Sequence, residues 1–462
     1  METTATDSQP QPVLAAAPAL VDAFSGPALK ILLIVGLFLL MLIPLSLVSS
    51  LIAERQERQG EVLKDFTTSW GPTQTVLGPL LVVPYRDVPD QSLRYLHVAP
   101  RQLEATVHLF PEIRKRGLFR AIVYSAKVDI KGTFQIPDEA VLRNFSTALR
   151  WQDSFILLRA NDLRALASSA QLSWNGGALP WSDCAENGST GCDGDRFVVA
   201  RLALSGPPAA DASIPFATSL DLRGTEAFWL APLGKDVDMT ASARWETPGF
   251  VGAVLPTANR VDSDGFSASW HVASNVATGR WLWSSASIVD TDESYRGKSH
   301  AEYRIGVELL EPVPTYRMVE RSAKYGPLFL ALSFLTYFLF EAIAGVRIHI
   351  IQYGLLGLSL SLFALLLISL SEPLGFTGGY ALSALMVLLQ ASIYTGSVGR
   401  AARPAAIFAA VLAALFSFLY VVLILEAYSL LVGALALFTA LSITMAVTRH
   451  VDWSKMRPSR PA

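Results

Sequence analysis

ILLIVGLFLLMLIPLSLVSSLI, residues Ile31–Ile52, is a run of about 22 residues without a charge. At about 1.5 Å per residue, a helix of that length crosses the ~30 Å hydrocarbon core of a bilayer. A secretory signal peptide is the competing reading, but its apolar core is only roughly 7 to 15 residues long. The run therefore reads as an uncleaved anchor at residues 29–52, with Pro44 as a kink rather than a break. Upstream, residues 1–28 are rich in Pro, Ala and Gln and lack apolar periodicity, the pattern of a disordered tail. Downstream, AERQERQGEVLKDFTTSW carries Val62, Leu63 and Phe66 at helical spacing, so the helix is expected to continue out of the membrane.

Beyond that helix the pattern changes. Short β-type runs appear at Val76–Tyr85, Thr106–Phe110, Leu118–Ile130, Phe155–Leu158, Phe197–Leu204, Val237–Trp245 and Phe266–Val272, punctuated by Gly, Pro, Asn and Asp. Residues 53–324 are thus expected to form a mostly β domain. It could be one large sandwich-like unit or two subdomains, with the Gly/Ser/Asp-rich loop at 183–195 as the weak point. From Tyr325 the chain turns apolar again, in the segments Pro327–Ala344, Ile350–Leu370, Tyr380–Val398, Ala405–Leu425 and Tyr428–Val447. Each is long enough to span, so residues 325–448 read as a block of five transmembrane helices, six in all with the anchor. Residues 449–462 form a terminal tail. Glu426 would sit in hydrocarbon if the last two segments were one helix, which favours a tight turn there.

The whole chain is 52% hydrophobic and only 16% charged, too apolar for an ordinary soluble protein. A net charge of −2, with no basic run beyond Arg114-Lys115-Arg116, speaks against nucleic acid as a partner. With a cytoplasmic N-terminus, the short inner segments hold Lys30, Arg347, Arg400, Arg403 and Arg449, while the outer turns Ser371–Gly379 and Glu426–Ala427 hold no Lys or Arg. That asymmetry follows the positive-inside rule, from which the long β domain is exempt. It places both termini in the cytoplasm and the β domain outside. The two cysteines, Cys184 and Cys192, both fall in that domain, seven polar residues apart. A small disulfide-closed loop is the simplest reading in an oxidising compartment, with free thiols or a metal site as alternatives.

No motif for catalysis is present: no H-E-x-x-H, G-x-S-x-G, Walker, dinucleotide or C-x-x-C pattern. The six histidines, at 97, 108, 271, 300, 349 and 450, lack metal-ligand spacing, and no cofactor is implied. Asp290, Asp292 and Glu293 read as a solvated loop, with a divalent-cation site as the sharper alternative. Polar residues in the membrane block say more, because burying them is costly. Glu341, Arg347, His349 and Gln352 bracket one short inner turn, so a charge-paired cluster is a candidate there, with Arg347 as the nearest partner for Glu341. Glu372 and Glu426 read as interfacial, and Gln390 as a hydrogen bond between helices. Small residues such as Gly354, Gly357, Gly378, Gly379 and Gly433 favour close packing into one bundle.

Several blocks, in order, carry a family resemblance. They are ERQERQGEVLKDFTTSWGPTQTVLGPLLVVPY, RGLFRAIVYSAKVDIKGTF, WETPGFVGAVLPTANRVDSDGFSASWHV, GVELLEPVPTYRMVERSAKYGPLFLALSFLTYFLFE, IHIIQYGLLGLSLSLFALLLISLSEPLGF and the terminal TRHVDW. Over roughly residues 54–453 the chain resembles the CreD family of bacterial cell-envelope integrity proteins. The Cys184–Cys192 loop is not a feature of that resemblance. The resemblance implies a Gram-negative inner-membrane location, a periplasmic central domain, and a link to envelope stress, to a two-component response to carbon source and β-lactams, and to colicin tolerance. It implies no reaction and no catalytic residue. The expected function is therefore a non-enzymatic role in envelope integrity, with membrane lipids and an envelope protein or cell-wall component as partners. Trp229, Trp245, Trp270, Trp281 and Trp283 could supply a contact surface, although core packing is the commoner use of Trp. A transporter or channel-like bundle is the alternative, and a periplasmic hydrolase a more distant one.

Overall fold

The structure is a computed structural model that describes residues 27–86, 92–146, 148–166, 170–183, 196–209, 212–273, 281–286, 304–311, 315–344, 348–399, 402–425 and 428–449. It divides into two compact units, residues 58–312 and residues 1–57 with 313–462.

Helix α1, Pro27–Trp70, is continuous through Pro44 and carries the anchor on into the charged segment. The first unit then alternates between two sheets. In the nine-stranded sheet, β1 (Gln74–Arg86) lies between β5 (Phe155–Arg159) and β11 (Ala227–Ala231). Outward from β5 lie β9 (Phe197–Arg201) and β8 (Ser182–Asp183), and outward from β11 lie β17 (Ile305–Leu309) and β13 (Pro248–Phe250). A branch of β2 (Leu93–Val98) and β16 (Leu282–Ser285) pairs with the far end of β1. The eight-stranded sheet runs β14 (Ala258–Asp262), β15 (Gly265–Ala273), β12 (Asp236–Ala243), β3 (Gln102–Arg116), β4 (Phe119–Gln135), β10 (Ser213–Thr225), β6 (Gln171–Trp174) and β7 (Gly177–Pro180). Apart from the end of α1, the only regular helix of this unit among the described residues is the short α2 (Glu139–Arg143).

Periodicity explains the layering. β10 reads SIPFATSLDLRGT and alternates strictly between exposed and buried, as a strand does when one face is wet. β1 reads QTVLGPLLVVPYR and is buried along nearly its whole length, because both of its faces are covered. Val76, Leu81 and Val83 enter one core together with Leu103, Val107, Tyr124 and Leu222 of the other sheet, while Leu77, Leu80 and Val82 enter a second cluster with Leu157, Val199 and Trp283. A single main core shared by two stacked sheets is the arrangement of a β-sandwich. Trp229 and Trp270 are almost fully buried, and Trp283 stacks on the buried His97 with ring centroids 5.1 Å apart. Those tryptophans pack the interior. Trp245 and Trp281 are half-buried at the margin of the core.

The second unit holds α3 (Thr315–Ala344), α4 (Ile350–Gly399), α5 (Ala402–Ile424) and α6 (Ser429–Thr448). α4 is two helices joined at Gly375, whose φ of 75° and ψ of 168° are non-helical. The chain reverses there. A side chain added at Gly379 would meet the backbone of Ser371 at 2.6 Å, and Phe363 packs against Tyr380 with ring centroids 5.4 Å apart. In a straight helix those rings would be about 25 Å apart at 1.5 Å per residue. The turn expected over Ser371–Gly379 is thus compressed to one residue that needs glycine, and the C-terminal block comprises five helical rods. A core of Phe329, Phe363, Phe416, Tyr380 and Leu367 joins α3, both limbs of α4 and α5, with Met41, Leu45 and Ile52 of α1 buried in the same cluster. That core is one bundle.

Candidate functional site

α1 is fastened to the bundle near each end of its apolar stretch. At one end Lys30 Nζ donates to Glu341 Oε1 of α3 and, at 2.7 Å, to the Ile348 carbonyl just before α4. The second oxygen of Glu341 accepts a hydrogen bond of 3.0 Å from the fully buried Tyr353 hydroxyl. At the other end Arg55 lies 3.7 Å from Glu372 in α4, whose carboxylate also accepts a 2.9 Å bond from the Tyr316 hydroxyl. The Gln56 amide donates to Glu320 at 2.9 Å. Lys30 and Arg55 are 25 positions apart (55 − 30), about 37 Å along a helix, which matches a hydrocarbon core plus part of its interfaces. Each carboxylate therefore has a cation and a phenol donor, the pairing that makes an acid tolerable at membrane depth.

The polar residues expected around the inner turn divide into two groups. Glu341 forms the clamp just described, with a cation from α1 that neither spacing nor local sequence signals. His349 and Gln352 do something else: the Ile351 N–H donates to His349 Nδ1 at 3.3 Å, and the His349 N–H donates to Gln352 Oε1 at 3.0 Å. That reciprocal pair is a capping box opening α4, with His349 in the N-cap role. Arg347 lies outside the described residues, as do Cys184, Cys192, Asp290, Asp292, Glu293 and Glu426.

A cavity of about 950 Å³ opens between α3, α5 and α6, lined by residues such as Leu332, Phe340, Phe408, Phe418 and Leu435. The hydroxyls of Thr336, Thr439 and Thr444 on its wall are each bonded to a carbonyl four residues back, at 2.7–2.8 Å. Such a lining asks for no hydrogen bond from an occupant, so it suits hydrocarbon better than water or ions.

In the β unit, the outer face of the eight-stranded sheet presents cross-strand polar rows. Register places His271 beside Asp238, Asp238 beside Glu104, and Glu104 beside Lys131. His271 Nδ1 is 2.9 Å from Asp238 and its Nε2 3.5 Å from Asp236; Lys131 reaches Glu104 at 2.8 Å, and His108 Nδ1 lies 2.9 Å from Ser242. The hydrogen bond to Asp238, with the charges of Asp238 and Asp236, raises the His271 pKa above its ordinary value. Among the described residues, no group of three or more His, Cys, Asp or Glu is arranged to hold a metal ion.

Comparison with known proteins fits this architecture. The chain is 27% identical over 429 residues to the inner membrane protein CreD of Escherichia coli (strain K12), covering 90% of this chain and 92% of that protein. A solved structure from Legionella pneumophila described as a "putative nutrient binding protein" aligns over 55% of this chain and 80% of its own, but with a TM-score of 0.24 and 8% identity it carries no argument. The family model for inner membrane protein CreD matches residues 27–454, and the chain belongs to that family.

Proposed function

We propose that this protein serves cell-envelope integrity and the response to envelope stress without catalysing a reaction. Its termini lie in the cytoplasm and its β unit in the periplasm, where the unit binds an envelope protein or a peptidoglycan- or lipid-derived component. The open polar face of the eight-stranded sheet supports this reading most directly. Rows that combine His271, Asp238, Glu104, Lys131 and His108 offer donors and acceptors on a broad, solvent-facing platform, which suits recognition of a polar polymer or protein surface. The alternative, flux through the bundle, would have to use the cavity between α3, α5 and α6, whose wall is mostly apolar and whose threonine hydroxyls are bonded within their own helices.

Photo-crosslinking from Thr240 or Glu104 in intact cells, followed by purification and mass spectrometry, tests the proposal. A discrete envelope adduct is expected at both positions. Substrate flux in proteoliposomes that Glu341→Gln abolishes would replace it with transport, and turnover of peptidoglycan by the purified protein would replace it with hydrolysis.

A further inference from the structure

Helix α6 packs unlike the other helices of its bundle. α5 buries Phe408, Leu412, Phe416, Leu419 and Leu423 in the shared core, whereas none of the described side chains of α6 is buried. The least exposed of them, Val432, Ala436, Ala440 and Thr444, recur every four positions and so form one stripe along the helix. All four line the cavity of about 950 Å³ between α6 and the pair α3 and α5. Lipid tails are as apolar as leucine, so a helix in a membrane is held to its neighbours by close packing and hydrogen bonds rather than by a hydrophobic drive. An unfilled gap forfeits that packing.

The dimensions of the gap match one lipid molecule. Its wall runs from Val432 to Thr444 on α6, 12 positions (444 − 432) or about 18 Å at ~1.5 Å per residue. On α5 it runs from Ile407 to Phe418, 11 positions (418 − 407) or about 16 Å. One leaflet of the hydrocarbon core is about 15 Å deep, half of the ~30 Å total. An apolar cavity of ~150 Å³ stays dry and takes a six-carbon ring, so about 950 Å³ scales to roughly 35–40 carbons, close to the two acyl chains of a phospholipid.

Its position in the bilayer is defined as well. On α3 the wall ends at Phe340, whose ring lies 6.3 Å from that of Phe408 and which directly precedes Glu341, the acid bonded to Lys30. Only residues 425–428 join α5 to α6, so α6 runs back alongside α5 and its end returns to the level of Phe408 and Phe340. Arg449, exposed just beyond that end, lies five positions past Thr444.

We propose that α6 is attached to the bundle through a single phospholipid, whose two acyl chains fill the gap between α3, α5 and α6. Its phosphate lies at the Phe340–Glu341 end, where Arg449 supplies a positive charge. The threonine hydroxyls of the wall are bonded within their own helices, the depth is that of one leaflet, and the volume is that of two chains.

The test uses the full chain in nanodiscs of dioleoyl phosphatidylglycerol, released and weighed by native mass spectrometry. One phospholipid per chain is expected to remain at activation energies that strip the others. Ala436→Phe combined with Ala440→Phe should lower the retained fraction several-fold, since two rings at ~150 Å³ each take about a third of the space. Ala434→Phe adds the same ring on the opposite, exposed side of α6 and should leave retention unchanged. A second measurement needs no variant: in detergent, with only the retained lipid present, a phosphatidylglycerol carrying a diazirine midway along one acyl chain should label Val411 or Ala440 rather than Ala434 or Phe438. A chain that keeps no phospholipid, labelling on the Ala434–Phe438 side, or equal retention with and without the paired change overturns the proposal. So does a dimer that the paired change dissociates, because a second copy of the chain would then fill the gap.

Discussion

Lys30 of α1 donates a hydrogen bond to Glu341 of α3, joining groups 311 positions apart in the chain. The lysine side chain is 30% and the glutamate 14% exposed, so the pair is shielded but not dry. Removing either partner should destabilise the protein by about 1–2 kcal/mol, below the ~3–5 kcal/mol of a fully buried pair because water and headgroups screen it. Glu341→Leu leaves Lys30 its bond to the Ile348 carbonyl, whereas Lys30→Leu leaves Glu341, among the described residues, only the Tyr353 hydroxyl, so the lysine change should cost more. The double variant should recover at least half of the summed loss in detergent melting. Strict additivity of the three values would mean that the residues are uncoupled.

The capping box at the start of α4 makes a different demand on His349. An N-cap needs an acceptor that reaches the second helical N–H, and Asn supplies one as well as His does. His349→Asn should therefore melt within about 0.5 kcal/mol of the parent, while His349→Ala and Gln352→Ala each lose about 1 kcal/mol. Equal losses for the Asn and Ala variants of His349 would point to a need for the imidazole itself.

Two glycines of α1 and its exit should respond in opposite directions to alanine. Gly60 has no heavy atom within 4 Å of the position a Cβ would take, and helical glycine is disfavoured, so Gly60→Ala should stabilise by about 0.5–1 kcal/mol. Gly71 has φ of +133°, and a Cβ there would lie 2.7 Å from the Arg223 carbonyl oxygen. Gly71→Ala should destabilise by about 2–3 kcal/mol, since both the backbone and its neighbour must shift. Thermal melting of the purified full chain measures both, and a loss at Gly60 matching that at Gly71 would contradict the account.

These positions mark how far the sequence could be read. The uncharged run at Ile31–Ile52, the alternation in β12 and β15, and the apolar segments after Tyr325 announce themselves because burial imposes a local period on them. Strand β10 escapes notice despite its strict alternation, since Ser, Pro, Ala and Asp occupy its outer face and resemble loop. The pairing of Glu341 with Lys30 is illegible for another reason. Helix packing brings Lys30 of α1 to Glu341, a long-range fact that no spacing encodes. His349 and Gln352 fit the three-residue spacing of a capping box, a local signal that the sequence does carry.

The last prediction concerns which side of the membrane each unit occupies. The clamps at Lys30 and Arg55 set the apolar length of α1 between them, so the two ends of α1 belong to opposite faces. Lys30 shares its face with the inner turn before α4, and by sequence with Arg400, Arg403 and Arg449, so the positive-inside rule assigns that face to the cytoplasm. Alkaline phosphatase fused after Pro208 should then be active and after Ser454 inactive. The cysteines give a second readout, because Cys184 and Cys192 can remain oxidised only outside the cytoplasm. In unreduced membranes they should resist maleimide until a reductant is added, and the reductant should release two thiols per chain. An active fusion at Ser454 together with an inactive one at Pro208 would invert the topology. Ready labelling of both cysteines without reductant would remove the disulfide while leaving the fusion result to stand alone.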